Sequence, residues 1–325
     1  MTDRPVAVVL TTADRDRPPY LDELTDRLDL RLTDADGLAD ALPGASVLFL
    51  WDFFSTAVEG AWPAADALEW IHVAAAGVDS LLFDELRDSE VVVTNARGVF
   101  DRPIAEFVLA SVLAQAKLLH ESRELQRRHE WRHREPAALA GSTALVVGTG
   151  AIAREIARLL TAVGVEVRGA GRRPADDDPD LGRVVSSREL ADHVGWADHV
   201  INATPLTPQT TGLFDAAVFA AMRPGAHFVN IGRGASVVEA DLVEALESGP
   251  LAAASLDVFE TEPLPENSPL WDAPGLVVSA HMSGDVVGWR DTLARQFADL
   301  AERWLAGEPL TNVVDKRLGY VSGGA

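Results

Sequence analysis

The chain has 325 residues, a length that suits two domains rather than one, and 47% of them are apolar, enough for a sizeable core. It has no cysteine, which excludes disulfides, thiolate catalysis and cysteine-ligated metals, and no metal site is expected. A net charge of −22 argues against nucleic-acid binding, which needs basic surface.

Met1-Thr-Asp-Arg-Pro5 lacks the basic-then-apolar pattern of a signal peptide. No apolar run approaches the roughly 18 residues of a membrane span. A cytoplasmic location with no membrane partner is therefore expected. The first hundred residues read as alternating strands and helices: strands at Val6–Leu10, Val47–Leu50, Trp70–Val73 and Val91–Thr94, a helix over Tyr20–Leu30 on the spacing of Leu21, Leu24 and Leu28, and a short helix over Leu81–Leu86. Strands separated by helices predict a parallel sheet. The spacing from Pro103 to about His129 predicts one long helix, with Pro103 in its first turn. Residues 121–135 are charged and arginine-rich, an exposed end or linker. All but two of the 28 basic residues of the chain are arginine, a bias that either a salt-adapted cytoplasm or a GC-rich genome produces. A second α/β block follows, with strands at Leu145–Val147, Val165–Arg168, His199–Ala203, His227–Ile231, Ala253–Leu256 and Leu276–Ser279. Residues 176–180, Asp-Asp-Asp-Pro-Asp, read as an acidic loop. An amphipathic helix over about Val286–Leu305 ends the pattern.

The second block opens on Ala144-Leu-Val-Val-Gly148-Thr-Gly150-Ala151-Ile152-Ala153. A strand, a glycine turn and a helix start make an anion site. Gly148 suits the tight turn, Gly150 admits a pyrophosphate, and the first helical N–H groups, at Ala151 and Ile152, point at it. Sites for NAD usually carry Asp or Glu about 20 residues on, at the end of the next strand. Here that strand runs into Gly171-Arg172-Arg173, with no carboxylate. Two guanidinium groups suit a 2′-phosphate, so NADP is preferred over NAD.

Three later stretches follow strand ends: Val229-Asn-Ile-Gly-Arg233-Gly234, Leu256-Asp257-Val-Phe-Glu-Thr-Glu262-Pro263, and Ser279-Ala280-His281-Met-Ser-Gly284. Ligands of doubly wound sheets bind beyond the carboxyl ends of strands. A cation there holds a carboxylate and polarises a ketone, a histidine delivers a proton, and an acid beside the histidine favours its charged form.

With the glycine turn, these stretches resemble the D-isomer-specific 2-hydroxyacid dehydrogenases. Gly77-Val-Asp79, Asn95, Ile104-Ala-Glu106, Thr204-Pro205-Leu206-Thr207 and Arg223-Pro-Gly225 fall where that family has similar residues. The resemblance implies two Rossmann-like, doubly wound parallel-sheet α/β domains with the active-site cleft between them. Residues 1–100 and 285–325 form the substrate-binding domain and 101–284 the dinucleotide-binding domain. It implies a 2-ketoacid reductase, or D-2-hydroxyacid dehydrogenase, with Arg233 on the substrate, Glu262 paired with the acid/base His281, and Ala76 and Gly77 offering N–H groups to the substrate carboxylate. Asp257 and Ile104 lie beside the nicotinamide, and Thr204 and Pro205 line the cofactor site. A homodimer using the long helix is also implied. The chain departs from the family at Asp101-Arg102, where Thr-Asp is commoner, and at Ala280, where Pro is usual. The loop Trp51-Asp-Phe-Phe54, with Trp289 and Arg290, either lines a pocket for an apolar substrate tail or serves packing. The alternative function is a dinucleotide-sensing corepressor of the same fold.

Overall fold

The computed structural model describes residues 4–12 and 16–321. The chain divides into two compact units, Met1–Val99 with Val286–Ala325, and Phe100–Asp285.

The first unit carries a five-stranded sheet, β1 (Val6–Leu10), β2 (Asp29–Thr33), β3 (Ala45–Leu50), β4 (Trp70–Val73) and β5 (Val92–Asn95), ordered β2-β1-β3-β4-β5 and parallel throughout. Parallel strands covered on both faces must be largely apolar on both faces, which is why β3 and β4 read as hydrophobic runs interrupted only by Ser46 and His72. Short helices α1 (Leu38–Ala41), α2 (Ala57–Ala61) and α3 (Asp84–Asp88) connect the strands. The C-terminal helix, Trp289–Leu305 (α10 in chain order), belongs to this unit because of what it buries. Phe297 is fully buried and stacks on Phe49 at 3.9 Å between ring centroids and on Trp70 at 5.6 Å. Truncating such a side chain to alanine costs about 3–5 kcal/mol.

The second unit holds β6 (Thr143–Val147), β7 (Glu166–Gly171), β8 (Ala175–Asp178), β9 (Gly182–Ser186), β10 (His199–Asn202), β11 (Ala226–Asn230), β12 (Leu251–Leu256) and β13 (Leu276–Val278), ordered β13-β12-β11-β10-β6-β7-β9-β8. All pairings are parallel except β8 with β9. The chain starts at β6, steps to β7 on one side and later to β10 on the other. The carboxyl end of β6 is therefore the topological switch point, where doubly wound sheets bind ligands. Its helices are α4 (Asp101–Ala116), α5 (Leu119–Arg127), α6 (Ala151–Ala162), α7 (Ala191–Val194), α8 (Ala216–Ala221) and α9 (Glu239–Glu247).

Four expectations are corrected. Tyr20–Leu30 is not a helix. One 3₁₀ turn spans Leu21–Leu24, and the chain then enters β2, whose Asp29–Thr33 pairs with Val6–Leu10. Leu21, Leu24 and Leu28 are all buried, so a turn satisfies the same spacing, and sheet pairing overrides helical preference. The long helix is broken: α4 ends at Ala116, Leu118 is left-handed (φ 54°), and α5 departs at 61°. The returning chain ties the break, with Ala137 donating to the Ala116 carbonyl and Lys117 Nζ to that of Ala137. The short helix lies at Asp84–Asp88 rather than 81–86, with Asp84 and Glu85 in its first turn, where the helix dipole favours anions. The acidic stretch is a β-hairpin, β8–β9, rather than a loop.

Candidate active site

The glycine turn sits at the switch point. Gly148 has φ +120°, and a Cβ there would stand 2.6 Å from the Ala203 carbonyl oxygen, so only glycine fits. At Gly150 a Cβ would meet no atom within 4 Å, so the space above it is open. Gly150 begins α6, no side chain caps that end, and Ala151 and Ile152 are the first helical residues. Bare N–H groups facing open space beside a strained turn suit a pyrophosphate. The end of β7 packs on this turn: a Cβ on Gly171 would lie 2.6 Å from Thr149 Cγ2. Arg172 and Arg173, both exposed, follow immediately.

Two buried asparagines organise the next strand ends. Asn202 and Asn230 terminate β10 and β11 in register. Asn202 Nδ2 donates to Asn230 Oδ1 (2.9 Å) and to Ser236 Oγ (2.6 Å), while its Oδ1 accepts from the Thr204 backbone N–H and hydroxyl. Asn230 Oδ1 also accepts from the Gly232 N–H, and Asn230 Nδ2 and the Ser236 hydroxyl donate to the Arg233 carbonyl. Thr204 and Arg233 thus hang from one fully satisfied polar network, which fixes their backbones. Pro205 follows Thr204, its carbonyl accepting from the Thr210 hydroxyl.

Glu262 and His281 are brought together. His281 Nδ1 lies 2.6 Å from Glu262 Oε2, and the other carboxylate oxygen accepts from the Phe259 N–H at 2.9 Å. Burial opposes the charge on Glu262. The hydrogen bonds from His281 and Phe259, with the nearby charges of His281 and Arg233, outweigh it and hold the carboxyl below its ordinary range. Arg233 therefore belongs to the same electrostatic cluster. His281 has φ +50°, a left-handed conformation unusual for a non-glycine residue. Asp257 holds it there: its carbonyl accepts from the His281 N–H and its buried carboxylate from Met282 and Ser283, each at 2.9 Å. Ile104, on α4, is buried, and a Cβ on Gly284 of the histidine loop would lie 3.5 Å from its Cγ1.

Ala76 and Gly77 follow β4 in the first unit, and the Ala76 carbonyl accepts from Asn95 Nδ2. In that unit's aromatic loop, Trp51 is buried against Phe49, Phe53 meets Trp289 edge-on at 6.3 Å, and Arg290 lies over Trp51 at 5.7 Å. Most of that loop serves packing, and Phe54 alone of its aromatic residues is well exposed, at 64%.

Residues 109–283 match the family model of the D-isomer-specific 2-hydroxyacid dehydrogenase, NAD-binding domain. The chain belongs to the D-isomer-specific 2-hydroxyacid dehydrogenase family. It is an NAD(P)-dependent oxidoreductase acting on the CH–OH group of 2-hydroxy acids. It is 36% identical over 217 residues to glyoxylate/hydroxypyruvate reductase A of Serratia proteamaculans, covering 66% of this chain and 68% of that one. The structure of a family member from Xanthobacter autotrophicus Py2 in complex with NADPH and MES matches with a TM-score of 0.83 at 31% identity, over 97% of this chain and 99% of that one. The NADPH-dependent glyoxylate/hydroxypyruvate reductase of Sinorhizobium meliloti, in complex with NADP and sulfate, matches with a TM-score of 0.80 at 27% identity, over 98% of this chain and 100% of that one. Among the described residues no single helix of the dehydrogenase is long and apolar enough to cross a membrane.

Sequence reasoning missed the network under these residues. Asn202, Asn230 and Ser236 were detectable in part, because Val-Ile-Asn and Phe-Val-Asn each end an apolar strand on an asparagine. A second tie, between Glu239 at the start of α9 and Glu260, left no signal. Each carboxylate accepts the other's backbone N–H, at 3.0 and 2.7 Å, which staples α9 to the loop carrying Glu262.

Proposed function

We propose that the enzyme is an NADPH-preferring reductase of small 2-keto acids, with Arg233, Glu262 and His281 as its reacting group. The observation that carries this reading is the 2.6 Å bond between His281 Nδ1 and Glu262, on a carboxylate that also feels the charge of Arg233. Arg233 binds the substrate carboxylate and polarises the ketone with its forked donors. A bound nicotinamide supplies the hydride. Because Nδ1 is engaged by Glu262, His281 delivers its proton from Nε2 to the oxygen that becomes the hydroxyl, and Glu262 stabilises the imidazolium before transfer. Gly148, Gly150, Ala151 and Ile152 hold the pyrophosphate, Thr204, Pro205, Ile104 and Asp257 flank the nicotinamide half, and Arg172 and Arg173 take the 2′-phosphate. The NADP reading is supported by the absence of a carboxylate at the end of β7 and by the NADPH and NADP named with the two solved relatives. A small substrate is supported by the names of the relatives and by the packing role of Trp51 and Phe53.

The enzyme is a cytoplasmic homodimer in this reading. Trp131 is fully exposed and Leu119 is 54% exposed in or beside an arginine-rich arm of a strongly acidic chain, an arrangement suited to a second copy. Light scattering giving a monomer mass would refute that part.

The test is cofactor oxidation with glyoxylate, hydroxypyruvate, phenylpyruvate and a branched-chain 2-keto acid, each with NADPH and NADH. The expected result is turnover of the small acids, faster with NADPH at low cofactor. Equal efficiency with both cofactors would refute the arginine assignment. No turnover across the panel would favour a dinucleotide sensor.

A further inference from the structure

We propose that Arg154 and Asp178 are positioning residues for 2′-phosphate recognition, their ion pair docking the β8–β9 hairpin against α6 so that the Arg172-Arg173 turn is held ready for the phosphate. This rests on the NADP reading above. The turn is fixed at its near end by β7, whose Gly171 packs on Thr149 of the glycine turn. Its far end runs into β8, which has little to hold it. β8 is the outermost strand, pairs with β9 at Ala175 and Asp178, and exposes Ala175, Asp176 and Asp177. No apolar side chain anchors it.

Asp178 does. Arg154 grips it with two prongs, Nη1 to Oδ1 at 2.8 Å and Nη2 to Oδ2 at 2.9 Å, and Nη1 also reaches Asp180 Oδ2 at 3.1 Å. Asp178 Oδ1 further accepts the N–H groups of Asp180 and Leu181, which shapes the hairpin turn over the buried Leu181. Arg158 adds two bonds to Asp180, at 2.8 and 3.0 Å. Exposed ion pairs are worth little, but this one is two-pronged and Asp178 is only 14% exposed. Arg154 donates from the first turns of α6, its own N–H bonded to the Gly150 carbonyl. The hairpin is thus referenced to the helix whose N-terminus takes the pyrophosphate.

The pair also acts through charge. Asp176 to Asp180 place four carboxylates just after the two arginines. Arg154 and Arg158 neutralise Asp178 and Asp180 and hold both carboxyls below their ordinary range. Without them the turn presents its arginines against unneutralised acids, which disfavours a dianionic 2′-phosphate and leaves a 2′-hydroxyl nearly indifferent. Loss of Arg154 therefore acts through geometry and charge in the same direction, whereas loss of Asp178 also removes an acid, so that in Asp178→Asn the undocked hairpin alone accounts for weaker phosphate binding.

The test is calorimetric binding of 2′,5′-ADP and of ADP to the wild type, Asp178→Asn, Arg154→Met and the exchange variant Arg154→Asp/Asp178→Arg, with Tm recorded for each. Asp178→Asn and Arg154→Met should weaken 2′,5′-ADP by about tenfold or more and ADP by less than about twofold, with the exchange variant recovering most of the loss. Should both single variants fail to fold, Arg154→Lys keeps the charge without the fork and should lose part of the discrimination. Equal weakening of both ligands, or no weakening in variants of a wild type that prefers 2′,5′-ADP, would overturn the positioning role alone. A wild type that binds ADP as tightly as 2′,5′-ADP would overturn the NADP reading and this proposal with it.

Discussion

Glu262 and His281 stand 19 residues apart in sequence, yet Oε2 of the one lies 2.6 Å from Nδ1 of the other. The geometry is built by two strand ends. Glu262 leaves the loop after β12, His281 leaves the loop after β13, and the strands are paired from Ala254 to Leu256.

Glu262→Gln keeps the shape of the side chain and removes the charge that favours a protonated imidazole. Keto-acid reduction should fall about a hundredfold. Initial rates of both proteins at saturating substrate and cofactor check this. The same carboxyl also bears on stability. Its folded-state value lies below the ordinary 4.5, so the ionised form stabilises the protein above that pH, and this contribution is lost as pH falls through the folded-state value. The variant should therefore show a flatter acid limb in Tm than the wild type.

Asp257 is only 1% exposed and accepts three N–H groups of the histidine loop when its carbonyl is counted with its carboxylate. Asp257→Ala strands the N–H groups of Met282 and Ser283, at about 1–3 kcal/mol each, and loosens the loop after His281, whose own N–H keeps its bond to the backbone carbonyl of residue 257. Denaturant unfolding should show a loss of about 2–5 kcal/mol, and kcat should fall more than NADPH affinity. Wild-type stability in this variant would mean that the loop is held by something else.

Gly148→Ala sets a methyl group against the Ala203 carbonyl at a φ of +120°. NADPH binding, followed by fluorescence, should weaken by at least about tenfold (roughly 1.4 kcal/mol), whereas Gly150→Ala, which meets no protein atom, should retain the fold and lose affinity only through its clash with ligand.

Much of this architecture is legible from residue order alone, for physical reasons. Buried parallel strands such as β3 and β6 must be largely apolar on both faces, so they stand out as short hydrophobic runs. A strand, Gly-Thr-Gly and a helical period announce a turn that few other structures need. What escapes detection is held by partners distant in sequence. Asp29–Thr33 forms a strand because Val6–Leu10 lies beside it. Leu118 turns left-handed with no glycine to mark it, because residue 137 ties the preceding turn. Ala175–Asp178 is a strand because β9 pairs with it, and its last carboxylate meets Arg154, more than 20 residues earlier. At the site, the chemistry-bearing side chains can be read one by one, but the asparagine network that suspends Thr204 and Arg233 emerges only when β10 and β11 are set side by side.

Two histidines make the protein acid-sensitive. His72 and His227 are buried, and burial pushes both down to about 3. Between pH 6.5 and 3 the unfolded chain binds protons that the folded chain refuses, so stability falls with pH by up to about 1.4 kcal/mol per unit for each group. His72→Leu should flatten the dependence between pH 7 and 5 by about that amount, even if it lowers stability at pH 7 through the lost bond to Thr94. Urea midpoints at several pH values measure the slope, and an unchanged slope would show that His72 is not one of the groups responsible.

The most direct measurement of the central claim is the His281→Ala variant, assayed for NADPH binding and for turnover of the best 2-keto acid substrate. The account predicts NADPH affinity within about twofold of the wild type and turnover reduced by at least about a hundredfold, the scale of a lost general acid. Turnover within a few-fold of the wild type would contradict it, because the proton would then be coming from another group.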